Sequence, residues 1–493
     1  MKSLAKILLF LLIAFTLYNC TKEDEIPVDV EINDFVWKAM NAYYLYQDQI
    51  PDLSDRRFSS QLEINEYARN FSSSNDLFTS LLFDSPTTDN KSVLLENFEN
   101  VATTEIRTSL TDGLEYGVIN DPNSLTNVLG YVHYILPNSN ASTKAIKRGD
   151  FFLGVNDIQL TRDNYRNLLV NNPSDTLTLN MAIFDGFIVE EDSIRTPLST
   201  IARKVELIKN EYTHPGVSLS KNIISGANNI GYLLYNNDFS PHYINDLNTA
   251  FSQFKNQGVN QLILDLRYNI GGNSTVENMT HIASMITGQF TDQPFSKERW
   301  NAKAQAWFKI HQPDSLHTKF STTINNTDAI NSIGLSDIYI ILNGSSSSIE
   351  LLINGLRSYI NVHIINSQVT NGNNKATMAL YNSIDYNFID INPNHTVNVK
   401  PIVVELINNN DETFADGFSP EMVICDLENI LNLGVLGETS DPLLNRVINF
   451  INTGAISTPN CNPNNFDFLY NSLNTQRIFD FGFSIKQDLP NTN

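Results

Sequence analysis

The sequence predicts an α+β multidomain chain: a helical N-terminal region, a β-rich module and an α/β sandwich core. Three patterns predict it. From Glu31 to about Ser80 apolar residues recur at helical spacing, with Phe35, Val36, Met40, Tyr43 and Tyr44 forming a stripe that Pro51-Asp52 ends. From about 85 to 200 short alternating runs lie between turn residues, among them Gly130-Tyr-Val-His-Tyr-Ile-Leu136 and Phe151-Phe-Leu-Gly-Val155. From about 201 strand patterns and helix patterns take turns, the signature of a sheet covered by helices. A length of 493 residues is too great for one small core and agrees with several domains.

Within the third region, Ile230-Gly-Tyr-Leu-Leu-Tyr235 reads as a strand. Asn245 to Lys255 reads as a helix with Leu247, Phe251 and Phe254 on one face. Gln261-Leu-Ile-Leu-Asp-Leu266 is an apolar run but for Gln261 and Asp265, as in a buried parallel sheet. Met279 to Ile286 is helical, and the next strand is Ile338-Tyr-Ile-Ile-Leu342. Asn343-Gly344 makes a tight turn after it. Ser345, Ser346, Ser347 and Ser348 then open a helix whose apolar face is Ile349, Leu352, Ile353 and Leu356. Val362-His-Ile-Ile365 follows as a strand, and beyond Ile456 the tail is rich in Asn and Pro and only locally apolar. The divisions expected are a leader over 1–19, a tether and helical region over 20–84, the β-rich module over 85–200, the core over 201–456 and a tail over 457–493.

Composition narrows the function. Hydrophobic residues at 41% and aromatics at 10% suit folded domains. Lys+Arg 32 against Asp+Glu 54 gives a net charge of −22, which argues against nucleic acid or anionic lipid as a partner. No Cys-x-x-Cys and no His-Glu-x-x-His occurs, and the eight histidines are scattered, so neither a metal nor a cofactor is expected. His214 and His395 read as core or surface histidines. Cys425 and Cys461 are either a disulfide in an oxidising compartment or two separate thiols. At the N-terminus, Lys2 and Lys6 precede an apolar run from Ile7 to Leu17 that is short for a bilayer span. Leu17-Tyr-Asn-Cys20 resembles a bacterial lipobox, and Thr21-Lys-Glu-Asp-Glu25 resembles the export tag of Bacteroidetes surface lipoproteins. That resemblance implies acylation of Cys20 and a lipid-anchored protein of the bacterial outer membrane or cell surface.

Two turns carry chemistry. A hydroxyl on a strand-to-helix turn sits beside unpaired backbone N–H groups and the positive end of a helix dipole, where a nucleophile and an oxyanion hole can be built together. The serine turn at 345–348 is such a place, although a serine-rich N-cap looks the same. The second turn is Leu264-Asp-Leu-Arg-Tyr-Asn-Ile-Gly-Gly272, in which glycines can aim N–H groups into a site. Its purely structural reading is an Asp265–Arg267 pair at a sheet end followed by an ordinary turn.

Gly113-Leu-Glu-Tyr-Gly117, Ser139-Asn-Ala141, Lys147-Arg-Gly-Asp150 and the strand to Val155 resemble, in order, a bacterial PDZ domain, with Asn140 and Asp157 replacing a Pro and a Gly. The resemblance implies a groove that binds an extended peptide by strand addition, with Gly113, Leu114, Glu115, Tyr116 and Gly117 at the terminal carboxylate. Asp-Leu-Arg-x-Asn-x-Gly-Gly followed by a strand–serine–helix unit resembles the carboxyl-terminal processing, or tail-specific, peptidases. Asn33 to Asn41, Asp416-Gly-Phe-Ser-Pro420 and Leu433 to Glu438 resemble segments of their Bacteroidetes members. The resemblance implies a core of the ClpP/crotonase type acting on polypeptides or their C-termini, by a serine nucleophile and a lysine base.

Aligned on Glu350, the nucleophile is Ser347, with a shift of one or two serines left open. The oxyanion donors are Ser348 N–H and Gly271 or Gly272 N–H. The family lysine position falls on Asn373, or on Gly372 without a gap, and the nearest lysine is Lys375. Two residues of extended chain displace it by about 6.6 Å, so a working base at Lys375 needs a bulged turn. The alternative is a family member that binds peptides without cleaving them.

Overall fold

The computed structural model describes residues 26–96, 106–187, 189–196, 199–271, 274–344, 346–425, 428–459, 466–476 and 483–484. The leader, Cys20, Gly272, Ser345 and Cys461 lie outside them. Helix α1 (Glu31–Tyr43) forms because Phe35, Val36, Ala39, Met40 and Tyr43 fall on one face, and all are buried. It stops where Tyr44 turns extended, at φ −60° and ψ 128°. Ser60 and Ser73 cap α2 (Gln61–Ala68) and α3 (Ser74–Ser80) by accepting the N–H of Glu63 and Asp76. A short strand, β1 (Val93–Leu95), follows.

The second region is an antiparallel sheet of β2 (Leu114–Asn120), β3 (Val128–Ile135), β4 (Phe151–Val155), β5 (Thr176–Phe184) and β6 (Lys204–Ile208), in the spatial order β6-β5-β4-β3-β2. Alternate residues such as Val118, Val132, Phe152, Leu179 and Leu207 point to one face and close a core.

The third region begins with β7 (Leu219–Ser225) and β8 (Asn228–Leu234), then α4 (Ile244–Gln257), β9 (Gln261–Asp265) and α5 (Val276–Thr287). Next come β10 (Pro294–Trp300), β11 (Asp337–Ile341), α6 (Ser347–Arg357), β12 (Asn361–Asn366), β13 (Lys375–Thr377), β14 (Asn398–Lys400), β15 (Ile402–Ile407), β16 (Met422–Val423) and α7 (Pro442–Thr453). The six-stranded sheet runs β7-β8-β9-β11-β12-β16, parallel from β8 onward. Ile338 and Ile340 bury one face of it with α4, α5 and α6, while Tyr339 and Ile341 bury the other with α7. A five-stranded sheet containing β10, β15 and β13 covers the far side of the helices, and α1 shares that core. The expected α/β sandwich is present, with a mixed sheet on each side of its helices.

One buried group sets a pH dependence. Burial pushes the Glu298 carboxyl on β10 up to about 8, against a 3.0 Å hydrogen bond from the Trp300 indole. The acid is protonated in the folded chain where the unfolded chain ionises at its ordinary 4.5. The stabilisation is therefore complete below 4.5 and is lost as pH rises through about 8. Glu298→Gln should melt like wild type near the lower limit and above wild type near the upper one, by an amount on the order of a few kcal/mol. Equal melting at both limits would refute it.

The tail makes strands that its composition does not announce. Phe468–Asn471 forms β17 and continues into a short helix, α8 (Ser472–Gln476), and Phe483–Ser484 forms β18 beside β13. Cys425 is disulfide-bonded. No helix among the described residues is long and apolar enough to cross a membrane.

Candidate active site

The parallel strands deliver three turns to one end of the six-stranded sheet. Asp265 stands opposite Ile341, and Leu266 N–H donates to Ile341 O at 2.8 Å, so the turns after β9 and β11 leave side by side. Ile341 stands opposite Ile365 of β12, which brings the 367–374 loop to the same edge. The carboxyl ends of parallel strands are where such sheets place their sites.

Ser346 is the N-cap of α6, its hydroxyl accepting from Ile349 N–H at 3.5 Å. Ser347 and Ser348 are therefore the first two helical residues, both buried. Their N–H groups have no acceptor within the helix and lie at its positive end. One turn on, the buried carboxylate of Glu350 accepts from Gly372 N–H at 2.6 Å and Asn373 N–H at 2.7 Å. This clamps the backbone of Asn373, the residue aligned with the family lysine, against the first turn of α6. Gly372 is at φ +77°, and a Cβ there would lie 2.0 Å from Ala415 O, so only glycine fits.

A lysine does reach Ser347, but it is Lys91. Its Nζ lies 3.1 Å from Ser347 Oγ, across 256 residues of sequence. The buried carboxylate of Asp89 accepts from the N–H of Lys91 at 3.2 Å and of Ser92 at 2.9 Å, and from the Tyr44 hydroxyl at 2.7 Å. Ser92 Oγ accepts from Ile402 N–H at 2.8 Å, and β1 pairs antiparallel with β14 through Val93 and Lys400. Asp89 and these pairings fix the backbone of Lys91 on both sides. Lys375, the expected base, opens β13 opposite Glu405, with Nζ 5.5 Å from the centroid of the Tyr46 ring. The turn before it is held by Glu350.

Gly271 is at φ +70°, and its N–H donates to Asn269 Oδ1 at 2.9 Å. The N–H of Gly271, one of the two expected for an oxyanion hole, is thus engaged inside its own turn. The Asp265–Arg267 pair is a buried bridge. Arg267 Nη2 lies 2.7 Å from Asp265 Oδ2 and 2.8 Å from Asp441 Oδ2, and Nη1 lies 2.9 Å from Glu428 Oε1. Glu428 also contacts Arg148 and His133 of the β-rich module. Burial opposes the Glu428 charge, but Arg148, His133 and Arg267 hold its carboxyl well below the usual carboxylate range.

Gly113 precedes β2 of the other sheet, and Leu114 to Gly117 lie within it. Gly113 is at φ +88°, Gly113 N–H donates to Thr111 Oγ1 at 3.0 Å and Leu114 N–H to Asp112 Oδ1 at 2.8 Å. Tyr116 N–H donates to Ser472 Oγ at 2.9 Å, and that hydroxyl donates to buried Glu115 at 2.5 Å. Among the described residues no group of His, Cys, Asp and Glu is arranged to hold a metal ion.

A buried serine at a helix N-terminus with a lysine in contact with it is the kind of arrangement that serine-type hydrolysis uses. Residues 31–90 match the peptidase S41 N-terminal domain and residues 229–383 match peptidase family S41. The chain thus carries two segments of the S41 peptidase type. Its fold is that of an S41 protease from Bacteroides fragilis, at 19% identity and TM-score 0.58 over 85% of this chain and 97% of that one. A photosystem II D1 C-terminal processing protease aligns at 15% identity and TM-score 0.41, over 80% of this chain and 93% of that one. No curated protein matches the sequence. Lys91 falls one residue past the first matched segment and outside the second, so neither the motif nor the family pattern points to it.

Proposed function

We propose that the chain hydrolyses peptide bonds of polypeptides with Ser347 as nucleophile and Lys91 as general base. The contact at 3.1 Å carries this reading, because it lies within direct proton-transfer reach. In the reactive state Lys91 is neutral, accepts the Ser347 proton as Oγ attacks the scissile carbonyl carbon, and returns it to the departing amine. The N–H of Ser348, aided by the helix dipole, faces the oxygen that becomes negative. Water then releases the acyl group from Ser347 by the same proton path. The β-rich module acts as the PDZ-like element, capturing substrate along its strand edge. The basic leader, its apolar run and Cys20 support a lipid anchor at the cell envelope.

A second reading is a peptide-binding member without turnover. Asn373 at the family lysine position and the engaged Gly271 N–H favour it. A fluorophosphonate probe separates the two. The wild type should label covalently and Ser347→Ala should not. Equal labelling of both would sink the peptidase reading.

A further inference from the structure

The outer edge of the β-rich sheet is not open. β17 pairs antiparallel with β2, Phe468 opposite Ile119, Tyr470 opposite Val118 and Asn471 opposite Gly117. The segment thus runs toward Gly113, which precedes the start of β2 at Leu114. Asn120 N–H donates to Asp467 O at 3.0 Å on one side, and Tyr116 N–H donates to Ser472 Oγ at 2.9 Å on the other. Leu469 and Tyr470 pack on the module's core beside Tyr116 and Leu168, with the two tyrosine rings 5.6 Å apart. The contacts combine those of strand addition: main-chain bonds to an edge, apolar side chains in a slot and a polar group at its end.

The occupant is the chain's own tail. An edge strand with apolar flanks is a template for other chains unless it is covered. Here the cover is tied on covalently, so it acts at an effective concentration on the order of millimolar. The end of the slot also differs from a carboxylate pocket. The Ser472 hydroxyl sits on Tyr116 N–H and donates to the buried carboxylate of Glu115, a neighbour that disfavours a second carboxylate in the same place.

We propose that residues 466–476 are a built-in, displaceable occupant of a strand-addition groove on β2, so that a polypeptide substrate enters by exchanging with the chain's own tail. The partner that fits is an extended internal segment with a bulky apolar residue at the position of Tyr470 and a hydroxyl two residues later. A free C-terminal carboxylate is the poorer ligand. This rests on the peptidase reading for its purpose, but its test needs no catalysis.

The probe is a fluorescein-labelled synthetic peptide of residues 466–476, titrated by polarisation in a Ser347→Ala background so that it cannot be cut. Three proteins are compared: the full chain, a chain ending at Asn465, and the full chain carrying Tyr470→Asp. The truncated and Tyr470→Asp chains should bind the peptide at least about tenfold more tightly than the full chain, as release of an intramolecular competitor requires. If both fold and bind no better than the full chain, the proposal is overturned. If truncation prevents folding, the Tyr470→Asp chain decides alone. Loss of cooperative folding in both would make the segment a fixed strand and would overturn the proposal as well. Fluorophosphonate labelling of chains with Ser347 intact reports separately on the peptidase reading.

Discussion

Lys91→Ala should slow fluorophosphonate labelling of Ser347, and peptide hydrolysis with it, by roughly 10²–10⁴-fold, the range for loss of a general base. Lys375→Ala should label close to the wild-type rate, because its ammonium faces Tyr46. Lys91→Arg should be as slow as Lys91→Ala, since a guanidinium keeps its proton and cannot act as a base. The pH profile adds a readout that a structural role would not move. Labelling by the wild type should rise with pH along one ionisation as Lys91 becomes neutral, and Lys91→Ala should lose that limb. Lys91 is only half-buried, so its removal should leave the melting temperature nearly unchanged. A Lys91→Ala protein that labels at the wild-type rate would remove Lys91 from the mechanism, whatever the fate of Ser347.

Arg267→Met should be the most destabilising single substitution at the sheet end. It strips the cation from Asp265 and Asp441, both buried, and one of two guanidinium partners from Glu428. Removing one partner of a buried ion pair costs about 3–5 kcal/mol, because the remaining charge has no solvent to return to. Burial already pushes the Asp441 carboxyl up, and Arg267 is the main group pulling it back. The expected result is a clear fall in the urea midpoint. Arg267→Lys should recover part of it, because the charge returns without the two-pronged geometry. A midpoint within error of wild type for Arg267→Met would mean that the bridge contributes little to folding.

Much of the core was legible in the sequence. Strand Gln261 to Leu266, strand Ile338 to Leu342 and the helix with Ile349, Leu352, Ile353 and Leu356 are local patterns, and each buries the face that its period implies. The serine turn was legible for the same reason, since a cap, a turn and a helix are written in consecutive residues. The lysine was not. A base supplied from the next loop is a short-range inference, and it led to Lys375. Lys91 reaches Ser347 because Asp89 shapes its turn locally and Val93 pairs with Lys400, a contact that spans hundreds of residues and leaves no periodic trace. The single local sign was an Asp two residues before a Lys, which also describes many surface turns. The tail failed in the same way: Phe468 to Asn471 is too short a run to announce a strand, and its partner lies in another domain.

The distance in sequence between Lys91 and Ser347 has a consequence for biosynthesis. The segment that carries Lys91 leaves the ribosome long before the one that carries Ser347. On the proposed mechanism the two are harmless apart, and reactivity appears only when the N-terminal segment has docked against the finished sandwich. An unfinished or misfolded copy therefore has no working dyad with which to attack its neighbours. Correct folding is itself the licence to cut.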